Sequence, residues 1–318
     1  MAEIGVNIEK AKTTLEAGGL VAIPTETVYG LAANGFNAAA VSNIFKAKNR
    51  PSFDPLILHS NSIEKIKSFT KDIPEAALAL AKAFWPGSLT LVLPKQDRVP
   101  PIVTSGLDTV GVRIPKHPLT LELLGSLDFP LAAPSANPFG YVSPTTAKHV
   151  NNNLGNEVDY ILDGGACEVG VESTIVGFPN GVPTIFRKGG LAIEEIEKVI
   201  GKVEVQATSS SKPSAPGMLE KHYSPGIRLE IGNIPELMKT HQDKNFAVLS
   251  FKDVYEQVPA PFMKVLSANG DLAEAARNLF AFLRYFSEVK PEIIFTELLP
   301  ENGLGTAIND RLKRAAAQ

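Results

Sequence analysis

The chain has 318 residues, 44% hydrophobic and 20% charged, which supplies a sizeable core and excludes wholesale disorder. Lys plus Arg number 31 against 34 Asp plus Glu, a net charge of -3, which argues against a globally basic nucleic-acid binder. The single cysteine, Cys167, excludes a disulfide framework and any multi-cysteine metal site, and reads as a small packed hydrophobe.

Ile8, Ala11 and Leu15 recur at helical spacing, and Gly18-Gly19 stop that helix. Residues 20–23 read as a buried strand ending at Pro24. Val41, Ile44 and Phe45 predict a helix running to Lys48. A strand is expected at 56–58, helices at 62–68 and 74–84, and strands at 89–93 and 110–114. A helix at 119–127 and strands at 130–133, 160–162 and 173–176 follow, then a helix at 193–200. Strands and helices mix without strict alternation, which points to a mixed α/β sheet with antiparallel pairs. Residues 208–217 are almost free of apolar side chains and read as a linker. Beyond it the pattern is simple: strands at 229–231, 246–251, 262–266 and 293–295 with helices at 234–239 and 272–286. That alternation predicts a small parallel, Rossmann-like domain. No apolar run approaches the roughly 18 residues of a membrane span, and the N-terminus lacks a secretory pattern, so the expected location is the cytosol.

The phosphate loop, the dinucleotide fingerprint and the nucleophile elbow are missing from the sequence, and its five histidines lack metal-ligand spacing. What stands out is polar material at strand ends, where α/β sheets place ligands. Pro24-Thr25-Glu26-Thr27-Val28-Tyr29-Gly30-Leu31 follows the first apolar strand. It is either a turn with Thr25 as a helix cap or part of a site. Lys46-Ala47-Lys48-Asn49-Arg50-Pro51 closes a helix; its cations either complement the helix dipole or neutralise phosphates. Arg113 interrupts the apolar strand Val110-Gly111-Val112-Arg113-Ile114 and therefore needs an anion, an internal carboxylate or a ligand's. Ala133-Pro134-Ser135-Ala136-Asn137 is a turn or a pair of directional hydrogen-bonding groups beside an approachable backbone. Val171-Glu172-Ser173-Thr174 and Phe186-Arg187-Lys188-Gly189 are similar spots. Together they argue for one polar cleft that binds a large anion.

In order, and continued by Ala215-Pro216-Gly217-Met218 and Lys221-His222-Tyr223-Ser224-Pro225, these segments resemble the YrdC-domain family of threonylcarbamoyl-AMP synthases in its long two-domain form. The resemblance implies a YrdC-like catalytic domain over 1–203, with a mixed twisted sheet and flanking helices. It also implies a linker or lid over 204–227 and a Rossmann-like domain over 228–318. The implied activity joins L-threonine, bicarbonate (or CO2) and ATP into L-threonylcarbamoyladenylate and pyrophosphate, with Mg²⁺ accompanying ATP. The product would pass to the tRNA threonylcarbamoyltransferase machinery that modifies adenosine 37, with tRNA as an indirect partner and no membrane. By the same resemblance Lys48, Arg50, Ser135 and Asn137 form a catalytic tetrad, and Thr25, His59, Arg113, Ala133 and Ser173 line the threonine pocket. Lys48, Ser52, Thr109, Ser135, Ser143, Arg187 and Tyr223 would hold ATP. Two positions depart from the family's pattern: Lys188 stands where proline is usual, and Gly226 where a polar residue can occur. An RNA-binding module using the same cationic cleft is the alternative of a different class. A carbamoyltransferase with the same catalytic domain is another, but its zinc fingers need more than one cysteine.

Overall fold

The computed structural model describes residues 1–206, 218 and 222–317. The linker expected at 208–217 thus lies outside the described residues. Eleven strands form one sheet: β1 (Glu3–Gly5), β2 (Val21–Ile23), β3 (Gly30–Asn34), β4 (Ile57–His59), β5 (Leu89–Pro94), β6 (Thr109–Arg113), β7 (Leu131–Ala132), β8 (Tyr160–Leu162), β9 (Thr174–Gly177), β10 (Thr184–Arg187) and β11 (Glu204–Val205). Their order is β1-β8-β2-β3-β7-β4-β6-β5-β9-β10-β11, with parallel and antiparallel neighbours interleaved, as the irregular alternation in the sequence predicts.

The period of two in the strands covers both faces. Leu31 and Ala33 pack with Ala40, Val41, Ile44 and Phe45 of the helix Ala38–Lys48 on one side. Ala32, Val21 and Ile23 pack with Ala11, Leu15, Leu123 and Leu124 on the other. A second sheet holds β12 (Arg228–Ile231), β13 (Phe246–Ser250), β14 (Met263–Val265) and β15 (Ile293–Thr296) in the order β12-β15-β13-β14. Every pairing in it is parallel, which matches the Rossmann-like expectation.

The two domains share a core. Val28, Val142 and Val171 of the first pack with Ala276, Leu279, Phe280 and Leu283 of the helix Leu272–Val289 in the second. Gly170 permits the approach: its φ is +80°, and a Cβ there would lie 2.5 Å from the Arg277 Cα. On the first domain's side these apolar contacts come from loops.

Several elements were not anticipated from the sequence. β3 begins inside the segment read as a strand-end loop. The helices Ala147–Leu154 and Gly305–Ala316 had no expectation at all. Nor does Thr25 cap a helix. Its hydroxyl donates to the Val28 carbonyl at 2.6 Å and accepts from the amides of Thr27 and Val28, closing a tight turn after β2.

Candidate active site

Strand register explains why distant segments meet. β4 and β6 are parallel with His59 opposite Arg113. β5 runs antiparallel to β6 and parallel to β9, so the start of β9 comes to the same edge as the end of β6. Arg113 and Ser173 therefore face one cleft. An isolated bridge between Gly30 and Ser135 adds the turn after β7. These strand ends and turns open on one cleft. Its lining includes Thr25, Arg50, His59, Arg113, Ala133, Ser135, Ser173, Arg187 and Tyr223. All but Tyr223, which lies in the segment joining the domains, come from strand ends or turns.

Arg113 is buried and forked onto fixed partners. Nη2 lies 2.6 Å from Oε1 of Glu26, Nη1 donates to Oγ1 of Thr27 at 2.9 Å, and Nε donates to the Gly87 carbonyl at 3.1 Å. Glu26 is itself held by the Ser88 hydroxyl and the Lys116 amide. Burial pushes the Glu26 carboxyl up, but Arg113 and these bonds outweigh it and leave it below its usual range. The anion that Arg113 requires is thus supplied internally, while the guanidinium still lines the cleft with N–H groups to spare.

Lys48 ends the helix Ala38–Lys48 on the stripe of Val41, Ile44 and Phe45, which points it inward. Its Nζ donates to the carbonyl of Ser135 at 2.6 Å and to that of Asn137. Burial, then the nearby Arg50, pulls its pKa well down, with Asp54 opposing. Asn49 in the left-handed conformation turns the chain so that Arg50 reaches Asp54 at 2.9 Å and the Pro55 carbonyl at 2.9 Å. The cation cluster therefore both ends a helix and ties two loops of the cleft.

Arg187 closes β10 and donates from Nε to the Ser173 carbonyl and from Nη2 to its hydroxyl, each at 3.0 Å. Burial, then the adjacent Arg113, pushes His59 down to about 3, so it is neutral at physiological pH. Its Nδ1 and that of His222, both buried in the cleft wall, have no hydrogen-bond partner within the chain. Unpaired buried polar atoms at a cleft are what a bound ligand would satisfy.

Other expected residues stand apart from the lining. Asn137 is buried behind it, its amide donating to the carbonyls of Pro138 and Tyr141. Ser143 lies behind Glu172, donating to its Oε1 at 2.5 Å. Ser52 is exposed, because the turn after the helix directs Arg50 and Asp54 inward and leaves 52–53 outside. Thr109 opens β6, a strand length of about 13 Å from Arg113 at its other end. Neither is among the residues that line the cleft. Gly226 has a φ of +74°, a backbone conformation that explains glycine where a polar side chain can occur. Cys167 is buried and its thiol is pushed up to about 12, as a packed hydrophobe requires. No sequence signal assigns a role to Glu26, Asp54 or Glu172, although Glu26 and Glu172 sit inside polar strand-end segments.

Comparison with known proteins follows the same division. The family model described as Telomere recombination matches residues 13–189, and that of the threonylcarbamoyl-AMP synthase C-terminal domain matches 191–317. A threonylcarbamoyl-AMP synthase of Pyrococcus abyssi is 42% identical over 95% of this chain and 92% of its own length. That of Bacillus subtilis is 41% identical over 97% and 92%. The crystal structure of Pyrococcus abyssi Sua5 complexed with L-threonine matches with a TM-score of 0.92 at 39% identity, covering 99% of this chain and 97% of that one. Fold, cleft and relatives define an α/β enzyme of the nucleotidyltransferase type. The chain belongs to the threonylcarbamoyl-AMP synthase family, in its two-domain form.

Proposed function

We propose that the cleft joins L-threonine, bicarbonate (as CO2) and ATP, and that its residues work by position and charge. Membership of the family gives threonylcarbamoyl-AMP synthesis as the activity and sets aside the RNA-binding and carbamoyltransferase readings. In the chemistry that follows, the neutral amine of threonine forms a bond to CO2 and loses a proton to solvent. A carbamate oxygen then attacks the α-phosphorus in line, and pyrophosphate leaves with the electrons of the broken bond. Both partners are anions, so fixed cations must hold them together. The observation that carries this reading is the ring of cations around one cleft, buried Arg113 and Arg187 and half-buried Arg50, whose wall also holds unpaired histidine nitrogens. Arg113 would take the threonine carboxylate, with Thr25, His59, Ala133 and Ser173 around the rest. Arg50, Ser135, Arg187 and Tyr223 would serve ATP. Lys48 and Asn137 would act on the Ser135 turn, with Ser143 behind Glu172. Mg²⁺ is expected on the phosphate oxygens of the nucleotide. The product would serve tRNA modification in the cytoplasm; among the described residues no helix is long and apolar enough to cross a membrane.

The test is mass spectrometry after incubation with ATP, threonine and isotopically labelled bicarbonate. Labelled threonylcarbamoyladenylate is expected, formed only when all three substrates are present. ATP hydrolysis without it would overturn the reading.

The segment joining the domains would close the cleft. Met218 is fully buried against Ile57, Val92, Ile175 and Phe186 of the first domain, and His222 and Tyr223 line the cleft. Tyr223 also stacks on Phe280 of the second domain, with ring centroids 5.5 Å apart. A cover over the cleft would keep water from a hydrolysable mixed anhydride. Proteolytic cleavage within 207–217 is expected to slow at least several-fold when ATP and threonine are both present. Substrate-independent cleavage, with full activity in the nicked protein, would remove the lid.

A further inference from the structure

The last helix of the second domain, Gly305–Ala316, sends a charged side chain to a cleft that the first domain builds. Arg311 is fully buried. Its Nε and Nη2 donate to Oε2 of Glu172 at 3.1 and 2.9 Å, and its Nη1 to the Lys188 carbonyl at 2.6 Å. Its guanidinium carbon lies 5.2 Å from the centroid of the Tyr223 ring. Glu172 and Tyr223 line the cleft, whereas Arg311 stands behind them. The other Glu172 oxygen takes the Ser143 hydroxyl, and the Ser143 carbonyl takes Nε of Arg284, a second buried arginine of the second domain. Tyr223 holds a left-handed backbone, φ +67°, unusual for an aromatic residue and sustained by packing on both sides.

A carboxylate in the wall of a cleft for polyphosphate needs a reason to be harmless. Burial alone would raise the Glu172 carboxyl; Arg311 first, then Arg187 and the Ser143 hydroxyl, outweigh that and hold it at about 2. Glu172 is therefore charged, and its nearest neutralising partner belongs to the other domain. The Arg113 network of Glu26, Thr27 and Gly87 shares no hydrogen bond with this one.

We propose that Arg311 is a positioning residue for the nucleotide: it neutralises and orients Glu172 and backs Tyr223, so that the second domain forms part of the ATP site. The proposal rests on the reading of the cleft as the site for ATP and threonine. Charge predicts a split between the two substrates. ATP carries several negative charges and threonine is a zwitterion. An uncompensated Glu172 therefore repels the first and is nearly indifferent to the second. The effect also needs Glu172 itself, so the two residues should be strongly non-additive.

The experiment uses the full chain as wild type, Arg311→Met, Glu172→Gln and the double variant. KM is read for each substrate from pyrophosphate release, and ATP affinity is read by calorimetry. Arg311→Met should raise the ATP KM and Kd about tenfold or more and leave the threonine KM within about twofold. Adding Glu172→Gln to Arg311→Met should recover most of that loss. Should Arg311→Met not fold, Arg311→Lys, which keeps the charge but loses the fork, should raise the ATP KM about threefold with threonine unmoved. An unchanged ATP KM in the folded variant, parallel loss for both substrates, or no recovery with Glu172→Gln would each overturn the proposal. A wild type that binds ATP but releases no pyrophosphate would instead count against the activity, and calorimetry would still decide the role of Arg311.

Discussion

Replacing Lys48 with methionine is expected to lower pyrophosphate release at least about 100-fold while the chain still folds. The Lys48 side chain is already buried, and methionine keeps close to its volume. What disappears is the Nζ that ties the carbonyls of Ser135 and Asn137 together. The buried Asn137 carbonyl and the half-buried Ser135 carbonyl would each lose a hydrogen-bond partner, at about 1–3 kcal/mol apiece. The turn carrying Ser135 would then relax at the cleft wall. Displacements of about 1 Å at a reacting centre cost about 100-fold in rate, so the catalytic loss should exceed any loss in stability. Steady-state turnover beside a thermal melt checks this. A variant that melts somewhat lower but turns over within about threefold of wild type would reduce Lys48 to the end of a helix. The same would hold if Lys48→Met weakened activity only in proportion to the unfolded fraction.

Much of this architecture is legible in the sequence because the signals are local. Apolar strands such as 20–23 and 246–250, and the stripe of Val41, Ile44 and Phe45, declare their elements through period and length. So do the polar strand ends, since a guanidinium in an apolar strand is costly unless something answers it. The helix Gly305–Ala316 shows where that logic stops. Ile308, Leu312 and Ala315 have helical spacing, but Asn309, Arg311 and Arg314 are buried too, so the apolar stripe is broken by an amide that ties Leu299 and by arginines that reach Glu172 and the Tyr223 ring. Ala147–Leu154 fails for a related reason, a run of asparagines over a buried Ala147, Val150 and Leu154. Arg113 was legible as needing an anion, but not which one. Glu26 lies far away in sequence, and only the order β2-β3-β7-β4-β6 brings the two together. Glu172 and Arg311 lie on different domains, and no periodicity links them. Interfaces are written in pairs of residues, and a single sequence shows only one member at a time.

That internal partner decides how Arg113 should be tested. Arg113→Ala would strand Glu26 in the interior without its cation, a defect of about 3–5 kcal/mol that lowers stability whatever the ligand does. Arg113→Lys leaves Glu26 a positive charge and removes the planar fork. Three N–H groups of Arg113 are committed to Glu26, Thr27 and Gly87, which leaves two of its five for a ligand carboxylate. Lysine has three donors on one nitrogen and cannot satisfy that internal set and a carboxylate together. The expected result is a threonine KM raised at least about 30-fold, equivalent to about 2 kcal/mol, with the ATP KM within about threefold. Carboxylate dependence sharpens the measurement. Threoninamide, which lacks the anion, should be a poor substrate for wild type and lose little further in Arg113→Lys. Steady-state kinetics with both amines, at saturating ATP and bicarbonate, supplies the comparison. Equal weakening of ATP and threonine, or an equal fall for threonine and its amide, would show that Arg113 serves Glu26 and the fold and does not hold the substrate.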